Sequence, residues 1–264
     1  MTQSKESPVL AGPIDDCCVQ GVKHSGTPAG KSITIAGVST YLSEPPALAR
    51  KDGRAKVVLY FPDAYGPFYL NAQLLQDYYA SHGFHVLGID YFLGDPVHLH
   101  LDNPDFDRVA WVAKSQKQAQ ESVPKWIAEV KRTYGEDAVY NAIGNCYCFG
   151  GPYSIEAGSV DGVISVALAH PSRLNEDHFK NLTKPILLNC AEIDNAFPAE
   201  SRRRAVDILI EKKTPFHVQL YSGIAHGFGT RADLSVENSR WAKEEAARSV
   251  AAWFSRWSSV NLAK

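Results

Sequence analysis

The sequence predicts an α/β fold: a mainly parallel central sheet with helices on both faces. Three observations carry that prediction. Short, near-continuous apolar runs alternate with helix-length stretches along most of the chain. Most of these runs end in turns rich in Gly, Pro, Asp or Asn. At 264 residues the chain can also bury roughly three quarters of its unfolded surface, enough for a complete α/β domain without disulfides or metals. Ligands in such sheets bind beyond the carboxyl ends of the strands, so the turns after the strands are where functional residues belong.

The elements follow in order. Residues 1–30, rich in Gly, Pro, Ser and Cys, form an extended lead-in to a single domain spanning 1–264. Residues 31–42 alternate about a central glycine and predict an antiparallel hairpin at the sheet edge. A strand at 56–61 ends in Pro-Asp-Ala-Tyr-Gly at 62–66. A helix over 69–81 stops at Gly83, and a strand covers 85–90. Residues 91–108 are irregular and aromatic. A long helical stretch over 109–134 is expected to break near Pro124, which lacks a backbone donor. A strand at 138–145 leads into a tight turn and a helix over 153–159. Strands at 162–169, 185–191 and 216–221 alternate with helices near 175–181 and 199–212, and a helix over 236–257 closes the chain.

Composition excludes several classes of function. Hydrophobic content of 45% with 21% charged residues is ordinary for a globular protein. A net charge of -2 with 27 dispersed basic residues leaves no footprint for nucleic acid or an anionic membrane. The cluster Arg202, Arg203 and Arg204 lies in a helical stretch and reads as a solvated face. The first residues lack the apolar core of a secretory signal, and no apolar run approaches the ~20 residues that span a bilayer. Five cysteines, an odd set without metal-like spacing, fit a reducing, cytoplasmic setting. The expected partner is a small-molecule substrate, with no metal or cofactor, in a monomer or a homodimer.

The most informative segment is Asn-Ala-Ile-Gly-Asn-Cys-Tyr-Cys-Phe-Gly-Gly-Pro at 141–152. An apolar strand runs into a cysteine-bearing turn, and a helix-compatible stretch follows. That is the layout of a nucleophile elbow, which holds a reactive side chain up into a pocket. Cys146 and Cys148 both fit the frame. Cys148 is preferred because Gly150 and Gly151 then supply side-chain-free positions where helix and strand must pack. Thiolate is the reactive form, and a helix N-terminus beside a histidine lowers a thiol pKa. The bland alternative is that both cysteines fill core space.

A nucleophile of this kind needs a base and an orienting acid at the ends of later strands. Asp194 follows the strand at 185–191, and His226 lies in a glycine-flanked loop after the strand at 216–221. Glu192 is the rival carboxylate, and helix capping ahead of 199–212 is the rival role for Asp194. His226 would take the thiol proton and Asp194 would orient the imidazole. Two backbone donors must hold the developing oxyanion: the N–H of Phe149, just past the nucleophile, and that of Ala64, in the loop after the first parallel strand.

Weaker signals surround these. Tyr65, Phe68 and Tyr69 crowd the loop after the first parallel strand and read as a pocket wall or as core. His98 and His100 would share a direction if extended, which permits a metal reading, although no third ligand is evident. Cys17, Cys18 and His24 read as a local structural knot. His170-Pro171 ends a strand in the same row as Asp194 and His226, bordering the pocket or simply turning the chain.

Taken together these residues resemble the dienelactone hydrolase family, particularly its fungal-type members, over nearly the whole chain. The resemblance rests on Cys-Cys-x-x-Gly-x-x-His-x-Gly-x-Pro at 17–28, Pro-Asp-Ala-Tyr-Gly at 62–66 and Asp-Tyr-Phe-x-Gly-Asp at 90–95. It extends to Tyr-Cys-Phe-Gly-Gly at 147–151 and His-Gly-Phe-Gly-Thr-Arg at 226–231. It implies an α/β-hydrolase fold, a triad of Cys148, Asp194 and His226, and hydrolysis of esters, lactones or related acyl compounds without a cofactor. Asp63 falls where the founding bacterial members carry a glutamate that holds the resting thiol, and Arg231 matches an arginine that pairs with a substrate carboxylate. A second such arginine near 91–100 is missing. That stretch offers Tyr91, Phe92, Asp95, His98 and His100 instead, which implies a larger, more aromatic substrate. The alternative is a lyase, isomerase or product-releasing enzyme of secondary metabolism using the same pocket. A non-catalytic binding protein would leave the ordered Cys, Asp and His unexplained.

Overall fold

The computed structural model describes residues 7–13, 21–47, 54–145 and 149–262. An antiparallel hairpin, β1 (Lys31–Ile35) and β2 (Val38–Ser43), opens the sheet. There follow β3 (Lys56–Phe61), α1 (Leu70–Ser81), β4 (His85–Ile89), α2 (Arg108–Tyr134), β5 (Val139–Asn145) and α3 (Gly150–Ala157). The second half holds β6 (Val163–Ala169), α4 (Glu176–Asn181), β7 (Ile186–Ile193), α5 (Ala199–Glu211), β8 (Phe216–Ala225), α6 (Phe228–Arg231) and α7 (Glu237–Leu262).

These strands form one eight-stranded sheet in the order β1-β2-β4-β3-β5-β6-β7-β8. β2 runs antiparallel to β4, and every pair from β4 across to β8 is parallel. The predicted fold class is therefore the observed one. The chain builds leftward from β3 to β4, then crosses back to lay β5 on the other side of β3. β3 and β5 thus lie on either side of a topological switch point, the place where sheets of this kind bind ligands.

Period-two alternation divides the core between two faces. Val57, Leu59 and Phe61 of β3 point into a cluster with Trp111, Val123, Trp126 and Val130 of α2 and Ile208 of α5. Val58 and Tyr60 point the other way, against Leu75 and Tyr79 of α1 and Val250 and Phe254 of α7. Strands covered on both sides read as continuous apolar runs, which is why the sequence predicts them well.

The departures have physical causes. α2 is unbroken at Pro124. Trp111, Ser115, Ala119, Val123, Trp126, Ile127 and Val130 form one buried stripe along it, while Pro124 and Gln120 face solvent. Packing of that stripe offsets the lost hydrogen bond, and water can satisfy the freed carbonyl. β8 runs on past residue 221 to Ala225, through an irregularity in its pairing with β7 and a left-handed Gly223 at φ 69°. Such bulges re-aim the side chains that follow. α3 starts at Gly150 rather than at 153, and α7 extends to Leu262 rather than 257.

At the start of α3 the helix backbone closely approaches the end of β3. A Cβ on Gly150 would lie 2.2 Å from the Phe61 carbonyl oxygen and 3.0 Å from that of Pro62. Both neighbours are backbone and cannot swing aside. Gly150→Ala is expected to destabilise the fold by about 1–3 kcal/mol, the usual range for overpacking. The check is urea unfolding: the midpoint should fall with an unchanged slope, and an unaltered midpoint would mean the helix can back away from β3.

Candidate active site

β3, β6, β7 and β8 each deliver a named residue just past the carboxyl end: Asp63, His170, Asp194 and His226. β7 ends in Ile193 and β8 in Ala225, and these pair in register across the bulge. The His226 N–H then donates to the Ile193 carbonyl at 2.9 Å. This clamp sets Asp194 and His226 side by side, and His226 Nδ1 lies 2.8 Å from Asp194 Oδ1. Both side chains are 1% exposed. The same carboxylate oxygen accepts the Ala196 and Phe197 N–H groups, each at 2.9 Å. Asp194 is thus fixed by its own loop and does not cap α5, whose N-cap is Pro198. With a carboxylate at Nδ1, that nitrogen is assigned the proton and Nε2 is left as the basic atom.

Glu192 takes no part. The irregularity between Ala191 and Ile193 turns its side chain outward, where Ser222 Oγ donates to it at 2.9 Å and the Gly223 N–H at 2.6 Å. The alternation that put Glu192 and Asp194 on one face fails at the bulge.

Cys146 and Cys148 lie outside the described residues, as do Cys17 and Cys18. Their flanks are defined: β5 runs to Asn145, and Phe149 is the N-cap of α3. Phe149 is fully buried, with its ring 4.8 Å from both Tyr91 and Phe92 and 5.6 Å from Tyr153. The Arg173 guanidinium sits 5.4 Å from the centre of the Phe149 ring. Tyr91 and Phe92 themselves have no exposed surface, so they back the residue that follows the elbow. The remaining cysteine, Cys190, is a buried free thiol whose pKa is pushed up to about 12 by burial. It is a core residue in β7.

The loop after β3 carries Asp63, Ala64 and Tyr65, all buried. The Val97 N–H donates to the Ala64 carbonyl at 2.9 Å, and the Tyr91 hydroxyl donates to the Pro62 carbonyl. Asp63 accepts the Tyr65 N–H at 2.9 Å and the Thr230 hydroxyl at 3.2 Å, and Arg231 Nη1 stands 3.5 Å from it. The Arg231 guanidinium also lies 4.3 Å above the Tyr65 ring. Arg231 is only 3% exposed, so the cation assigned to a substrate carboxylate faces Asp63 in this structure.

His98 and His100 diverge. His98 belongs to a single 3₁₀ turn, Val97–Leu99, and stacks on Tyr65 at 5.5 Å and 16°. His100 Nε2 is 2.5 Å from Asp95 Oδ1, and its ring stacks on Phe106. The extended geometry behind a metal reading is absent, and no cluster among the described residues could hold a metal ion. His24 Nε2 donates to the Ala232 carbonyl at 3.0 Å and its backbone N–H donates to Asn71 Oδ1 at 2.8 Å, so it staples the segment around residue 24 to the rest of the fold. Among the described residues, no helix is long and apolar enough to cross a membrane.

Two features escaped the sequence. Asn71 of α1 donates to Val22 O at 2.8 Å and to Thr230 O at 3.0 Å, linking three distant segments. No local pattern marks an interior helix asparagine as such a link. His170 was visible as a histidine ending β6, but its contact with His226 was not; the ring centres are 4.9 Å apart.

A mainly parallel sheet covered by helices on both faces, with a buried Asp194–His226 pair at its carboxyl rim, defines an α/β-hydrolase fold. The fold agrees with solved structures. A putative dienelactone hydrolase from Klebsiella pneumoniae superposes with a TM-score of 0.69 at 15% identity, covering 88% of this chain and all of that one (100%). The chain belongs to the dienelactone hydrolase family, whose pattern it matches over residues 38–258. It is similar to dienlactone hydrolase 1 of Gibberella moniliformis, at 37% identity over 95% of this chain and 96% of that one. It is also similar to hydrolase tropI of Talaromyces stipitatus, at 33% identity over 93% and 97%. The protein is a hydrolase.

Asp63 has a testable electrostatic signature. Burial raises its carboxyl from 3.8 to about 6, against the opposing pull of Arg231, the Tyr65 N–H and the Thr230 hydroxyl. The native state then holds a proton that the unfolded chain releases, so this group makes stability fall as pH rises between about 4 and about 6. Asp63→Asn should flatten that slope, and denaturant unfolding across the window measures it. A parent and a variant with parallel pH profiles would contradict the assignment.

Proposed function

We propose that this hydrolase cleaves a carboxylic ester or lactone through Cys148, with His226 as base and Asp194 as its orienting acid, and without a cofactor. The observation that carries the reading is the buried 2.8 Å bond between Asp194 and His226 at the ends of β7 and β8. It leaves Nε2 of His226 as the one basic atom on the side away from the acid, and Cys148 directly precedes the N-cap of α3 in sequence. His226 takes the thiol proton, and the thiolate attacks the acyl carbon to give a tetrahedral oxyanion. The intermediate collapses to a thioester as His226 returns the proton to the departing oxygen. For a lactone that oxygen stays tethered as a hydroxyl of the same molecule. Water, deprotonated by His226, then cleaves the thioester to the free acid and restores the thiol.

The oxyanion is assigned to the N–H groups of Phe149 and Ala64. Their backbones adjoin, because α3 starts within contact distance of the Phe61 and Pro62 carbonyls that lead into Ala64. Tyr65 and His98 form an aromatic wall on that loop, and Asp63 with Arg231 its polar side. Tyr91 and Phe92 serve by backing Phe149 rather than by touching substrate. A substrate carboxylate would reach Arg231 by displacing Asp63. We assign a cytoplasmic setting on the same grounds as the free thiol the chemistry requires.

Cys148→Ala should abolish turnover of 4-nitrophenyl acetate, and intact mass should show an acyl adduct on the parent that the variant lacks. Asp194→Asn, which loses the tautomer control, should lower kcat by about a hundredfold or more. Turnover retained in Cys148→Ala would remove the thiol from the mechanism.

A further inference from the structure

His170 stands at the end of β6 with φ 38°, a conformation that residues with side chains rarely adopt. Strain of this kind persists only where surroundings impose it, and it gathers at functional sites. Here the surroundings are specific. Its backbone N–H donates to the Asn189 carbonyl at 2.7 Å. Its ring meets the His226 ring at 4.9 Å and 66°, and the Phe228 ring at 5.1 Å. The Gly229 N–H donates to its Nε2 at 3.1 Å. An imidazole that accepts at Nε2 is neutral and carries its proton on Nδ1. Burial, and then the charges of His226 and Arg231, hold its pKa well below the ordinary 6.5.

We propose that His170 is the positioning residue for His226. Asp194 binds one ring atom of His226, and the His170 ring packs against that ring. Its bond to Gly229 ties down the segment just past His226, so wall and base are held in one unit. A neutral ring does this without repelling His226 when that imidazole holds a proton. Gly229 is part of the arrangement, since a Cβ there would lie 2.9 Å from His170 Nε2 and 3.4 Å from Ala169 Cβ. The proposal rests on the triad reading above.

The test uses the full chain, 4-nitrophenyl acetate, and three variants: His170→Ala, His170→Gln and Gly229→Ala. His170→Ala and Gly229→Ala should each lower kcat by about tenfold, as a displaced catalytic group does, with KM changing by less than about twofold. His170→Gln, whose amide oxygen can still accept from Gly229, should recover most of that loss. The rate of Cys148 labelling by iodoacetamide should fall in parallel with kcat. A folded His170→Ala or Gly229→Ala with kcat within about twofold of the parent overturns the proposal, as does a loss confined to KM. Should His170→Ala fail to fold, the other two variants decide. Cys148→Ala separates the two readings: if it retains turnover, the triad itself has failed. If it is dead while the His170 variants are unimpaired, only the positioning role has.

Discussion

The constraint on which the rest of the structure depends is the backbone-to-backbone packing of α3 against the end of β3. Gly150 permits it, because its missing Cβ is the space the Phe61 carbonyl occupies. Once the helix is that close, Phe149 has its ring directed into the apolar layer beneath α2. There Tyr91, Phe92, Trp111 and Tyr153 enclose it, with Arg173 over its face. Aromatic burial of this size dominates local energetics. Phe149 is therefore anchored at the N-cap of α3 by side-chain packing.

Two buried carboxylates, Asp194 and Asp63, differ in their surroundings. Asp194 has one oxygen engaged by two N–H groups of its own loop and by His226. Asp63 receives one N–H and one hydroxyl, with an arginine at the longer distance of 3.5 Å, and burial outweighs that support. With so few donors around its charge, Asp63 sits near the edge of protonation.

Much of this was legible in the sequence, and what was not has a common cause. Strands β3 to β7 announce themselves because burial on both faces makes them apolar throughout. Asp194 is legible because it follows such a strand, β7, whereas His226 follows β8, whose residues are mostly exposed or half-buried. Periodicity fails where tertiary contacts override it. The stripe of α2 carries the helix through Pro124, and the bulge in β8 moves Glu192 outward and brings His226 to Asp194. His98 and His100 were read on an extended chain, but a 3₁₀ turn separates them. Tyr91 and Phe92 were read as a pocket surface because aromatic residues in an irregular segment resemble one. Only the fold shows that Phe149 takes up their faces.

His226 and the loop that follows it are held from three directions, none adjacent in sequence. β7 supplies Asp194 and the Ile193 carbonyl, β6 supplies the His170 ring, and α1 reaches the loop through Asn71, which binds the Thr230 carbonyl. Asn71 also takes the Val22 carbonyl and the His24 N–H, so residues 22–24 are sewn onto the same loop from outside the sheet. The Val22 N–H completes the seam on the Arg231 carbonyl at 3.1 Å. This explains why Arg231, an arginine in a four-residue helix, is buried: a strand of lead-in chain covers its backbone while Asp63 and Tyr65 take its guanidinium. Buried polar groups are tolerated when every member of the network has a partner. A short loop such as that of His226 is the place where such a network serves best, because the loop has little apolar surface of its own with which to hold a ring still.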